Sequence, residues 1–388
     1  MSSLIHLLDK PEVHFVSGLG DWLVGSDERR YLDFVQGWAV NCLGHAYPQL
    51  ADAVSQQAHR LFTPSPAYHN DKVMQLADKL TTLSGLDRAN FVNSGAEANE
   101  AAIKLARKWG QLHKKGAYRM ITFKDGFHGR TLATMSASGK PAFGPLFEPK
   151  VDGFDKVRFN DLSAVEAMLS DDHVAIMLEL IQGEGGVVEA SKEFVLGLRV
   201  LCDKHKLLLI IDEVQTGIGR TGELFAYQHY GIKPDILTLG KGLGGGIPIA
   251  AMVAQEHCLC FSPGDQGSTF GGNPLSAAAG LAVLEEVAAP SFLANVRRQA
   301  EKLRSLLTQI SDDFELGHVY GRGLLLALNT HGSHQVDAHE IEKRAFQECL
   351  LVNGLRPHLL RVMPALNVTD EALLVFDQKL RRVLQSCS

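Results

Sequence analysis

Two residues with the means to do chemistry stand 29 positions apart in one stretch, Asp212 and Lys241. Asp212 ends a continuous apolar run over residues 207–211. Lys241 follows a second short apolar run, 235–239, and sits inside Gly240-Lys241-Gly242 with three more glycines after Leu243. An unbroken apolar run reads as a strand buried on both faces, as in a parallel sheet. Ligands of such sheets lie beyond the carboxyl ends of the strands, where Asp212 falls. A lysine among glycines is placed for close approach by a ligand, and it becomes a nucleophile when burial or a neighbouring cation favours its neutral amine. A buried carboxylate beside such an amine suits pyridoxal phosphate (PLP), a cofactor held as a Schiff base on lysine with its ring nitrogen kept protonated by an acid. The plain alternative is a strand-end carboxylate and a solvated lysine in a flexible loop. These two residues alone leave both readings open.

More of the chain bears on the choice. The stretches IIDEVQTGIGRTG (210–222) and LTLGKGLGGGIP (237–248) resemble the signature of the class III PLP-dependent aminotransferases, of the ornithine and acetylornithine type. Several long motifs in one order are far more specific than a single glycine loop. The resemblance extends over nearly the whole chain. It implies an α/β protein of fold-type I, with a mostly parallel central sheet in a large domain and a smaller α/β domain. The large domain is expected over residues 46–283, and the small one over 1–45 and 284–388, discontinuous in sequence. It also implies a homodimer with active sites at the subunit interface.

Further residues take expected roles from the same resemblance. In NFVNSGAEANEAAIKLARKWG (90–110) apolar residues recur at the helical period, Ser94 stands where an N-cap belongs, and Glu97 completes a capping box. A helix N-terminus offers free amide donors and a positive dipole end to a phosphate. The family match puts Gly95 and Ala96 there, with the Ser94 hydroxyl nearby. In GFHGRTLATMSASGKP (126–141), Phe127 matches the aromatic that stacks on the pyridine ring, and Arg130 the arginine that takes a substrate carboxylate through a planar bidentate fork. Gln215 would contact the ring hydroxyl. Glu184, in the turn after an apolar strand at 174–180, is expected to pair with Arg361 and release it when a dicarboxylate binds. In GDQGSTFGGNPLSAAAG (264–280), Thr269 matches a threonine that reaches the neighbouring subunit's cofactor phosphate, assisted by Ser268. Residues 36–48 match the stretch lining the substrate side, and 62–70 a loop reaching toward the partner.

The expected reaction moves the terminal amine of N2-acetyl-L-ornithine to 2-oxoglutarate, a step of arginine biosynthesis, with Lys241 as nucleophile and proton carrier. Succinylornithine, ornithine, GABA or another ω-amino acid are alternative donors, and a PLP-binding protein without turnover is the alternative from another class.

Composition fits without discriminating. The chain has 388 residues, 45% hydrophobic, with a net charge of −6 and both signs spread along it, so no basic stripe points to nucleic acid. Its six cysteines follow no metal-like or disulfide spacing, and no metal is expected. With no leader pattern and no apolar run of spanning length, the expectation is a cytoplasmic protein away from membranes.

The elements that must position these residues follow from periodicity. Short strands near 14–16, 21–24 and 31–35 suggest a small antiparallel sheet, and 49–60 an amphipathic helix. Strands are read at 120–123 and 174–180, with a crossover helix at 193–206. The C-terminal part reads as a long helix broken near Pro290, then a strand at 324–328, a helix at 338–352, a strand at 359–362 and a helix at 370–385.

Overall fold

The computed structural model describes residues 3–7, 9 and 11–387. Its centre is a seven-stranded sheet in the spatial order Arg88–Val92, Ala250–Ala254, Ile236–Leu239, Leu208–Asp212, His173–Glu179, Arg119–Phe123 and Phe154–Val157. Only Ala250–Ala254 runs against its neighbours. Every residue of His173–Glu179 and Leu208–Asp212 is buried, which is why their sequences show no alternation. Register carries the consequence for function. Asp212 lies opposite Glu179 on one side and Thr238 on the other, so three polar side chains of three adjacent strands stand at one level near the strand ends.

Helix Gly95–His113 packs on this sheet with its small residues Ala98, Ala101, Ala102 and Ala106 inward. Ser94 accepts the Glu97 N–H and Glu97 accepts the Ser94 N–H, the reciprocal cap that the sequence predicts. The crossover helix is Lys192–His205. Helix Pro274–Val287 is buried on most sides and meets Pro290–Asp313 at a bend of 73°. Among the described residues, no single helix is long and apolar enough to cross a membrane.

Two four-stranded sheets and the two-stranded pair Ile181–Gln182 with Val188–Glu189 complete the sheets among the described residues. Phe15–Leu19, Trp22–Gly25 and Arg30–Asp33 form the expected antiparallel set, but Leu350–Leu351 adds to Arg30–Asp33 in parallel. The other sheet, Val319–Arg322, Leu325–Asn329, Leu359–Val362 and Asn353–Arg356, is antiparallel throughout. The helix expected over 338–352 stops at Gln347. Cys349 turns the chain at φ 54°, and the following leucines pair with a strand instead of continuing the helix. One hydrophobic cluster runs from Leu32 to Leu384, with Phe34 stacked on Phe376 at 4.3 Å, so the N-terminal strands are fastened to the C-terminal helix.

Candidate active site

The strand ends supply the acids. Asp212 Oδ2 accepts from Asn99 Nδ2 at 2.8 Å and meets His128 Nδ1 at 2.8 Å, while Oδ1 accepts the Val214 N–H at 3.0 Å. Asn99 is itself fixed: its amide also donates to the His128 carbonyl, and its oxygen accepts from Thr238. The carboxylate is buried and held from three sides, so its direction is set before any ligand arrives. Burial alone lowers the basicity of His128, but the bond to Asp212 and the charges of Asp212 and Glu179 outweigh it and raise its pKa. Next to this group the Glu179 carboxyl is pushed up to about 7, chiefly by burial. It accepts the N–H groups of Phe127 at 2.8 Å and Gly183 at 3.2 Å. Glu179 therefore ties the aromatic segment to the Glu184 turn.

Lys241 enters from the end of Ile236–Leu239 with a left-handed backbone, φ 40°, between two glycines. Its amine is held below the ordinary lysine range, foremost by burial, although Asp212 and Glu179 oppose the shift. A weakened ammonium is what a nucleophilic lysine needs. Lys241, Asp212, Gln215, Phe127, Gly95 and Ala96 all line one cavity of about 280 Å³, with Arg130 and Glu184 at its other parts.

The helix N-terminus shows why glycine stands at position 95. A Cβ there would lie 2.5 Å from Val214 Cγ1, closer than side chains approach one another. Ser94 behaves differently from Gly95: its hydroxyl is exposed, occupied with Glu97, and outside the cavity lining. Ser268 accepts from Asn93 Nδ2 at 2.8 Å, just before the helix. Thr269 is exposed and lines a separate cavity with Tyr68, His69 and Asn90, so neither residue reaches the Lys241 cavity of its own chain.

Farther along the site, Glu184 and Arg361 are brought together. Arg361 Nη2 donates to Glu184 Oε1 at 2.9 Å, and the guanidinium, 1% exposed, also holds the Gly183 carbonyl and Asn353. Burial opposes ionisation of Glu184, yet Arg361 and Lys140 keep its carboxyl below the usual range. Arg130 is exposed at the rim, its guanidinium 5.8 Å from the Phe143 ring centroid, and it makes no ion pair among the described residues. Trp38 is also exposed, within four consecutive residues of positive φ, and is absent from the cavity lining.

Asn99, His128 and Glu179 are site residues that motif reading leaves unassigned, and Lys140 is an unassigned partner of Glu184 outside the cavity lining. Glu179 had a usable signal, because it ends a buried strand as Asp212 does. Asn99, His128 and Lys140 sit inside quoted motifs, but the carboxylates they meet, Asp212 and Glu184, are more than 40 positions away and invisible along the chain.

These residues fit pyridoxal phosphate: a weakened lysine amine, a preset carboxylate for a ring nitrogen, and a helix N-terminus where only glycine fits against Val214. The family model for aminotransferase class-III matches residues 8–384. Acetylornithine aminotransferase 2 of Bordetella pertussis is 50% identical over 370 residues, 95% of this chain and 93% of that protein. Acetylornithine aminotransferase of Ralstonia nicotianae is 49% identical over 390 residues, 100% of this chain and 98% of that protein. Among solved structures, N-acetylornithine aminotransferase from Stenotrophomonas maltophilia superposes with a TM-score of 0.85 at 36% identity, covering 97% of this chain and 96% of that one. An ornithine aminotransferase from Toxoplasma gondii, with partial occupancy of PLP at its active site, superposes at 0.94 with 30% identity, covering 99% and 92%. With its family model spanning the fold and these residues converging on one cavity, the chain belongs to the class-III aminotransferases.

Proposed function

We propose that the chain moves the terminal amino group of N2-acetyl-L-ornithine to 2-oxoglutarate, giving N-acetyl-L-glutamate 5-semialdehyde and L-glutamate. The observation that carries the choice of donor is near-half identity, over 95–100% of the chain, to proteins named for that activity. The cofactor is pyridoxal 5′-phosphate, which when bound supplies an electron sink for the carbanion formed at the substrate carbon.

The residues divide the work. Gly95 and Ala96 hold the phosphate with helix N-terminal amides. Asp212, fixed by Asn99 and His128, keeps a proton on the ring nitrogen, and Gln215 takes the ring hydroxyl. Phe127 covers the ring face. Lys241 Nζ takes the proton from the donor carbon that carries the terminal amine and returns it as an acid, acting as both groups in turn. Arg130, unpaired at the rim, takes the donor's α-carboxylate. Arg361 stays neutralised by Glu184 while the donor reacts, then receives a carboxylate of 2-oxoglutarate.

The enzyme is proposed to be a homodimer in which Ser268 and Thr269 of one protomer bind the phosphate held by the other. The support is their position outside their own cavity and the exposure of Tyr68 and Phe270, at 70% and 62%, on the same two segments. The large unit is proposed over 46–283 and the small one over 1–45 and 284–388. A cytoplasmic setting accords with six free cysteines.

The deciding experiment is a half-reaction without keto acid. Cofactor-loaded protein is mixed with N2-acetylornithine, N2-succinylornithine, ornithine or GABA, and loss of the visible band of the lysine-bound cofactor is followed. Fast loss with acylated ornithines alone supports the proposal. Fast loss with ornithine or GABA moves the donor assignment to those amines.

A further inference from the structure

Glu184 has a second cation that the family pattern does not explain. Lys140 Nζ donates to Glu184 Oε2 at 3.2 Å, on the oxygen that Arg361 leaves free. The two cations differ in kind. Arg361 is 1% exposed and locked by bonds to Gly183 and Asn353 as well. Lys140 is 32% exposed, and its ammonium lies 6.0 Å and 5.9 Å from the ring centroids of Phe127 and Phe143. A lysine on a flexible stem between aromatic faces can follow a carboxylate that moves, whereas Arg361 cannot.

The proposed reaction makes such movement necessary, and this inference rests on that reading. One cavity must take a donor with a single carboxylate and then a diacid. In the structure Arg361 is already neutralised, so a diacid carboxylate can reach it only by displacing Glu184. A displaced, partly buried carboxylate with no cation would bear its full desolvation cost. An equilibrium shifts only through interactions that differ between its two states. Lys140 shares Glu184 with Arg361 before displacement and holds it alone afterwards.

We propose that Lys140 is a specificity-determining residue, the cation that receives Glu184 when the second carboxylate of a diacid acceptor takes its place on Arg361. The donor half-reaction leaves Glu184 where it is and does not call on Lys140. The residue thus separates the two half-reactions by charge alone. It is a positioning residue and touches neither the reacting carbon nor the cofactor's ring.

The test compares wild type, Lys140→Gln and Lys140→Arg as cofactor-loaded enzymes. Each half-reaction is followed separately, and binding of glutarate and of butyrate is measured by calorimetry, which needs no turnover. Lys140→Gln should raise KM for 2-oxoglutarate and Kd for glutarate by about tenfold, the effect of losing one partly exposed charge pair. Its kcat, its donor half-reaction and its butyrate affinity should stay as in wild type, and Lys140→Arg should restore most of the loss. Equal losses in both half-reactions would mark a structural role and overturn the proposal, as would unchanged glutarate binding or a loss confined to the donor. Rejection of acylated ornithines by the wild type would overturn the donor reading instead. The glutarate–butyrate comparison would still decide the role of Lys140.

Discussion

Gly95 packs closely against Val214 at the start of its helix, and replacing that glycine by alanine tests the phosphate-end reading directly. A Cβ at 95 would lie 2.5 Å and 2.9 Å from the two methyl carbons of Val214. Valine is stiff at χ1, so it cannot swing aside cheaply. Val214 also lines the cavity, and its N–H is bonded to Asp212 Oδ1 at 3.0 Å. Moving it would press on the cofactor and pull on the carboxylate together. Overpacking of this size costs about 1–3 kcal/mol. At about 1.4 kcal/mol per tenfold, Gly95→Ala should weaken PLP binding by roughly 5- to 150-fold. The assay is titration of apo-protein with PLP, following the visible band, with a thermal melt of each apo-protein alongside. Adding Val214→Ala should recover most of the affinity, because the clashing methyls are gone. Unchanged affinity in Gly95→Ala, or an equal loss in the single and double variants, would refute the steric account.

Other perturbations probe the remaining roles. Lys241→Ala should abolish the visible band of the lysine-bound cofactor and turnover with it; a variant that keeps normal turnover removes Lys241 as nucleophile. Arg130→Lys loses the bidentate fork and should reduce kcat/KM for carboxylated donors by about tenfold more than for amines without a carboxylate, and equal losses would exclude it from recognition. Glu213 is buried, accepts the N–H groups of Ala226 and Tyr227, and has its pKa pushed by burial from 4.5 up to about 8. The folded state then binds more protons than the unfolded state, so this contribution is full below about pH 4.5 and is lost as pH rises through about 8. Between about pH 5 and pH 8 the melting temperature of wild type should therefore fall relative to Glu213→Gln. Parallel profiles would show that Glu213 does not carry this linkage.

Much of the site was legible because its chemistry is local in sequence. Asp212 ends an apolar run, Lys241 lies between glycines, and Ser94 with Glu97 spells a helix start; each signal spans a few residues. The central strands were equally plain, since burial on both faces leaves unbroken apolar runs. The strands Val319–Arg322 and Asn353–Arg356 were not, because each has only four residues and Gly321 and Gly354 interrupt their apolar patterns. The end of the helix after Ala338 was hidden for a different reason. Leu350 and Leu351 suit a helix by propensity, and tertiary pairing with Arg30–Asp33 makes them a strand.

Glu179 and Lys140 show where chain-wise reading stops and geometry takes over. Each is an ordinary charged residue near a motif, and neither has a sequence neighbour that explains it. Glu179 gains meaning from sheet register, which sets it opposite Asp212 and beside the Phe127 and Gly183 amides. The two neighbouring strand-end carboxyls differ in their partners. Asp212 has Asn99, His128 and a backbone N–H, whereas Glu179 has two backbone N–H groups and is pushed up to about 7. The two cations on Glu184 differ as well, Arg361 being locked while Lys140 sits on a flexible, partly exposed stem. Both carboxyls are thus held by hydrogen bonds, whereas of the two cations on Glu184 only the Arg361 side chain is bonded elsewhere among the described residues. A site that accepts a mono-anion and then a di-anion needs a charge that can move, and the Lys140–Glu184 pair is proposed to supply it.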